Sequence, residues 1–184
     1  MKRSFSTPAI ILKRSNVGET DRVLTLLTRK RGKLVCIAKG VRKMGSSKRA
    51  YLEPGNYVDA FLIKTKSMPL LTQAKLINQF SDGNSNLKKI RQLTQVLEIV
   101  DRLFVEGEEE LELFEQVREI LNLLSSPSPE TGGTSRYTKI GEIKSKLQNI
   151  ISQLGYHSSN GLSLLDHVAE LSDKPMRSWE YLRV

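Results

Sequence analysis

The sequence predicts an α+β protein: a small closed five-stranded β-barrel followed by an α-helical bundle. Three observations lead there. Residues 7–77 hold five short runs of apolar and β-branched residues broken by turn residues. After Phe80 the apolar period changes to helical spacing. The charge changes sign at the same place: residues 1–80 carry 17 Lys or Arg against Glu19, Asp21, Glu53 and Asp59, a net of +13, whereas residues 81–184 carry a net of −4. These observations place one domain at 1–80 and a helical one at 81–184. The 184 residues suffice for two compact halves with real cores.

The strand runs are "TPAIILKR" (7–14), "DRVLTLLT" (21–28), "KLVCIAK" (33–39), "YVDAFLIKT" (57–65) and "PLLTQAKLI" (69–77), punctuated by Asn16, Gly18, Arg31-Gly32, Pro54-Gly55 and Met68-Pro69. In the last run Leu70, Thr72, Ala74 and Leu76 are expected to share one face. Among five-stranded barrels the OB-fold is the commonest, and its loops and exposed strand faces bind oligonucleotides. The longest connection, residues 40–52, is also a basic one.

"SDGNSN" (81–86) supplies turn and N-cap residues, and Leu87, Ile90, Leu93, Leu97, Val100 and Leu103/Phe104 then form a helical stripe. A second helix is expected over about 109–124, with Leu111, Phe114, Val117, Ile120, Leu121 and Leu124 apolar. The acidic residues 108–110 and 112 suit its positive end. "SSPSPETGG" (125–133) reads as a flexible link. A third helix spans about 137–154 and stops at Gly155. A shorter one lies near 162–171, and 175–182 adds a last turn or two.

The charge is concentrated. Between residues 29 and 49 lie nine Lys or Arg and no acid: Arg29, Lys30, Arg31, Lys33, Lys39, Arg42, Lys43, Lys48 and Arg49. Ordinary solvated surface mixes its signs. A one-signed run repels itself unless a polyanion relieves it, so the pattern points to phosphate backbones and strongly salt-sensitive binding. Gly40, Gly45, Ser46 and Ser47 are expected to make the loop flexible and let its N–H groups approach phosphates. "GVRKMGSS" (40–47) imitates a phosphate-binding nucleotide loop, but Ser46 occupies its lysine position and Pro54-Gly55 leaves no room for the long helix that must follow. Phe5, Tyr51, Tyr57 and Phe61 are the aromatic candidates for base stacking, with Phe61 expected in the core; so sparse a set favours backbone-led binding.

The residues do not compose a catalytic site. Ser163, Asp166 and His167 lie close in sequence, yet no strained nucleophile turn or oxyanion loop accompanies them. The glutamates at 106–110 read as helix N-terminal charge rather than a metal cluster. One cysteine, Cys36, and two histidines cannot build a zinc site or an internal disulfide, so no cofactor and no metal are expected and a reducing cytoplasmic compartment fits. No segment approaches the length of a membrane span or a signal-peptide core, so no membrane partner is expected. Trp179 reads as a bundle anchor or part of a partner pocket.

Ala9 to Gly55, with a strand, "GETDRVLTLLT", "GKL", the "AKGVRK" loop and "LEP" in that order and spacing, resembles the N-terminal OB domain of the bacterial RecO recombination mediators. "QLGY" (153–156) and "RSWEYL" (177–182) resemble helix ends of that family's C-terminal helical domain. The resemblance implies a DNA repair factor that binds single- and double-stranded DNA and anneals complementary strands. It also implies work with RecR and action on strands coated by single-stranded-DNA-binding protein, so that RecA can load. The matching basic positions are Arg22, Lys33, Lys39, Arg42, Lys43, Lys48 and Arg49. Many members carry a four-cysteine zinc site after "LGY"; here "HSSNGLSLLDH" follows, with no cysteine. From the residues alone an RNA-binding OB module and a protein-interaction scaffold remain open, since phosphate contacts do not tell RNA from DNA.

Overall fold

The computed structural model describes residues 3–46, 49–80, 87–126, 133–156 and 163–177, with the backbone alone given for 133–138. Its order is β1 (Ser4–Val17), β2 (Asp21–Thr28), β3 (Gly32–Ala38), β4 (Asn56–Ile63), β5 (Leu70–Gln79), α1 (Leu87–Leu103), α2 (Leu111–Ser125), α3 (Gly133–Gln153) and α4 (Leu164–Leu171). The chain divides into two compact units, Met1–Phe80 with Phe104–Phe114, and Ser81–Leu103 with Glu115–Val184. The strap Phe104–Phe114, expected with the helices, thus goes with the barrel.

The strands close in the order β1-β2-β3-β5-β4, and β4 pairs back to β1. All pairings are antiparallel except β3 with β5, joined in parallel at Ile37 and Leu70. This is the five-stranded OB topology. Closure leaves no open sheet edge. It depends on β1, whose first part pairs with β4 and whose second part pairs with β2, with Ala9 and Ile10 bonded to both. A bulge between Ile11 and Lys13 bends the strand through this change of partner.

Alternation fills the interior with Ala9, Ile11, Leu24, Leu26, Cys36, Ala38, Val58, Ala60, Leu62 and Leu71. Two expectations fail here for the same kind of reason. In β5 a register shift opposite Phe61 and Leu62 makes Leu71, not Leu70, the core residue, because one inserted residue reverses which side chains face inward. Phe61, flanked by the inward Ala60 and Leu62, points outward and keeps 36% of its surface exposed.

At the β2–β3 turn, Gly32 has φ +58 and bridges to Glu106 of the strap, whose Gly107 N–H donates to the Lys33 carbonyl at 3.0 Å. A β-carbon on Gly32 would stand 1.7 Å from the Glu108 carbonyl oxygen. Only glycine permits both the backbone angle and the approach. Residues 106–108, expected as helix N-terminal charge, therefore lie along the barrel, and α2 begins at Leu111.

In the helical unit, α1 buries Leu93, Val96, Leu97, Ile99 and Val100, whereas Leu87 and Ile90, expected on its apolar stripe, are exposed. Leu121 and Leu124 of α2, Ile143, Leu147 and Ile150 of α3, and Leu165 and Val168 of α4 are buried as their spacing requires. Arg102 closes the end of this unit: it pairs with Glu98 at 2.9 Å and donates to Ser172 Oγ and to the carbonyls of Lys174 and Pro175. Ser163 is the N-cap of α4, accepting from the Asp166 N–H, which gives it a structural task. No helix among the described residues is long and apolar enough to cross a membrane. His157, Trp179 and the expected last turn beyond residue 177 lie outside the described residues.

Candidate nucleic-acid interface

The basic run of 29–49 is contiguous in sequence but not in space. β3 lies in its middle, and seven residues at a rise of about 3.3 Å place its two ends roughly 20 Å apart. Arg29, Lys30, Arg31 and Lys33 stand at the β2–β3 turn. Lys39, Arg42, Lys43 and Arg49 stand at the opposite end, on the β3–β4 loop. The first group lies beside the strap, where Glu106 bridges both Gly32 and Lys33 and Glu108, Glu109 and Glu110 follow. The strap backbone at 106–108 thus runs along this turn. Arg31 is further engaged, with its guanidinium 4.2 Å from the centre of the Phe5 ring.

The β3–β4 loop lies beside the β1–β2 turn instead, where Asp21 is its acidic neighbour. Val41 and Leu52 are fully buried and anchor it to the barrel core at both ends. The Gly40 N–H donates to Asp21 Oδ1 at 2.8 Å, where φ +66 at Gly40 turns the chain. Arg42 makes two further ties to the β1–β2 turn: its backbone N–H donates to the Thr20 carbonyl and its guanidinium to the Gly18 carbonyl, both at 2.9 Å. Successive turns follow, Lys43 to Gly40, Ser46 to Lys43 and Arg49 to Ser46. Gly40 and Gly45, both at positive φ, shape turns on this anchored base. Residues 49–55 run in turns up to β4, so no helix follows in the manner of a nucleotide-binding loop.

Asp21 is the electrostatic centre of the clasp. The Gly40 N–H, the Thr20 hydroxyl and the nearby Lys39 and Lys43 hold its carboxyl below the usual range. It stays ionised and keeps the loop in place.

Of the seven basic positions, the fold brings Lys39, Arg42, Lys43 and Arg49 together on this loop. Lys39, Lys43 and Arg49 are exposed and Arg42 is half-buried. One guanidinium nitrogen of Arg42 donates to the Gly18 carbonyl. Lys33 is at the far end with the strap. Lys48 lies outside the described residues. Arg22 is a correction: it is only 4% exposed, with a guanidinium nitrogen 3.2 Å from Glu53 Oε1 and 3.5 Å from the Leu52 carbonyl. Glu53 also pairs with Arg14 at 2.9 Å. A phosphate cannot reach Arg22 without dismantling this end of the barrel.

One feature of the loop, Met44, escaped sequence reasoning, and Tyr51, an aromatic candidate, lies on the same loop. Met44 is completely exposed and Tyr51 keeps 37% of its surface exposed, so both stand at the surface among the loop cations. The signal for Met44 was its position between Lys43 and Gly45 in a stretch, residues 42–49, with no other apolar residue. Tyr57 is engaged instead with Phe114, ring centres 6.1 Å apart.

The fold and the clasped loop define an OB-fold barrel protein with a cationic loop end. Residues 1–80 match the family model described as "Recombination protein O N terminal". The chain is 39% identical over 101 residues to a DNA repair protein RecO from Heliobacterium modesticaldum, covering 55% of this chain and 37% of that one. A RecO from Nocardioides sp. is 39% identical over 106 residues, covering 57% and 43%. One from Syntrophomonas wolfei is 26% identical over 159 residues, covering 86% and 58%. The barrel domain, residues 1–80, is thus similar to the N-terminal domain of RecO proteins. It spans between about two fifths and three fifths of the length of these relatives.

Proposed function

We propose that this chain acts in recombinational DNA repair by gripping the DNA backbone with the loop end of its barrel. The observation that carries the reading is the clasped loop: Lys39, Lys43 and Arg49 exposed together with Arg42 on a base fixed by Asp21, Val41 and Leu52. The relatives' printed name, DNA repair protein RecO, supports the context. Lys48 joins the set from sequence.

The grip binds single- and double-stranded DNA, and annealing follows from it without bond chemistry. Cations that neutralise phosphates let two strands approach, and contacts to the backbone leave base edges open for pairing. In the cell the activity operates in the cytoplasm with RecR, on strands coated by single-stranded-DNA-binding protein, and assists RecA loading. No metal is needed at the loop.

The test is the annealing rate of complementary strands, bare and coated, at two salt concentrations, for the wild type and for the triple variant Lys39→Ala, Lys43→Ala, Arg49→Ala. Arg42 is left in place because it also holds the loop. Loss of three phosphate contacts lowers the slope of log K against log salt on single strands by about 2. Salt-sensitive acceleration that the variant loses supports the reading. Unchanged affinity in the variant refutes the loop as the grip, and binding without annealing refutes the mediator role in favour of a general polyanion site.

A further inference from the structure

The cationic loop raises one apolar side chain clear of the fold. Met44 is 101% exposed. Single exposed apolar residues are common on protein surfaces. This one differs in how it is presented. The turn from Gly40 to Lys43 and the turn from Lys43 to Ser46 put residue 44 at a crest, and Gly45 at φ +86 reverses the chain directly after it. The base of the crest is fixed by the buried Val41, the Asp21 clasp and the two ties of Arg42. The neighbouring Lys43 and, beyond the next turn, Arg49 are exposed cations. The loop thus offers an unbranched thioether chain on a segment that also carries exposed cations.

We propose that Met44 is a wedge that enters between adjacent bases of a bound strand. The inference rests on the DNA-binding reading above. Lys43 and Arg49 hold the phosphates on either side, and Met44 reaches the gap between base planes, where its flexible, polarisable side chain adapts to any base. Apolar side chains, Met included, are inserted in this manner by proteins that unstack nucleic acid. The grip therefore favours single strands, whose bases separate readily, over stacked duplex. It presents unstacked bases to an incoming complementary strand.

A single-stranded oligonucleotide containing 2-aminopurine reports unstacking by a rise in fluorescence. The wild type is expected to produce the rise. Met44→Ala and Met44→Gln lose it and bind about five- to tenfold more weakly with an unchanged salt slope, since no phosphate contact is lost. Met44→Leu keeps it. Lys43→Ala does the reverse, with a shallower salt slope and the rise retained at saturation. Met44 touches nothing in the fold, so these variants remain folded. If Met44→Ala binds and unstacks as the wild type does, while Lys43→Ala flattens the salt slope, the wedge is overturned and the backbone grip stands. If the wild type fails to bind the oligonucleotide at low salt, the DNA-binding reading falls and the wedge falls with it.

Discussion

Removing Glu53 is expected to harm the barrel more than removing Arg22, although the two form one ion pair. Arg22 is 4% exposed, and among the described residues its Nε has no hydrogen-bond partner and its guanidinium meets, besides Glu53, the Leu52 carbonyl at 3.5 Å. Glu53→Ala leaves that cation buried and uncompensated, a loss of about 3–5 kcal/mol. The low end applies, about 3 kcal/mol, because the Glu53 side chain is 34% exposed and water shares its charge. Arg22→Met removes the buried charge and keeps an apolar stem, while Glu53 retains Arg14 at 2.9 Å and solvent. Its cost is about 0–2 kcal/mol. The double variant should be more stable than Glu53→Ala alone, since no orphaned charge is left. Cys36 supplies the assay: it is fully buried in the barrel core and burial pushes its thiol up to about 12, so a thiol reagent labels it only when the barrel opens. Urea titrations followed by this labelling rank the three variants. A double variant as unstable as Glu53→Ala would refute the buried-charge argument. A loss of about one phosphate contact from the salt slope in Arg22→Met would refute the assignment of Arg22 to the interior.

Two further outcomes follow from the turn and the clasp. Gly32→Ala should destabilise the barrel by at least about 3 kcal/mol, combining left-handed strain with the clash against the Glu108 carbonyl, whereas Gly18→Ala, at φ +56 with nothing within 4 Å, should cost only about 1–2 kcal/mol of strain; equal losses in the same labelling assay would remove the strap from its place on the β2–β3 turn. Asp21 has a folded pKa below its unfolded one, so its contribution to stability is present above the unfolded value near 3.9 and is lost as pH falls through the lower folded value. Asp21→Asn should flatten that acid limb and speed hydrogen exchange at Gly40; exchange at Gly40 identical to the wild type would show that the clasp does not hold the loop.

The barrel and its helices were legible in the sequence because both signals are local. A short run of apolar and β-branched residues bounded by turn residues marks "DRVLTLLT" as a strand, and the 3–4 spacing from Leu93 to Val100 marks a helix, whatever else the chain does. The excess of positive charge in the first 80 residues was equally plain. Where local order breaks, sequence reading fails: the irregularity in β5 moved the core from Leu70 to Leu71, and the strap Phe104–Phe114 left its helices for the barrel.

The sequence by itself determined that this chain folds as a five-stranded barrel plus helices and that it carries a concentrated cationic surface. The tertiary structure alone decided which of those cations stand at the same end of the barrel. Of the nine basic residues between 29 and 49, the eight described ones fall into two groups at opposite ends of β3, one beside a strap more than 70 residues away. Arg22, indistinguishable from its neighbours in sequence, met Glu53 across 31 residues and was drawn inside. Local pattern fixes which way a residue faces on its own strand, but a charge acquires its role from what stands opposite it, and barrel closure brings those partners from distant parts of the chain.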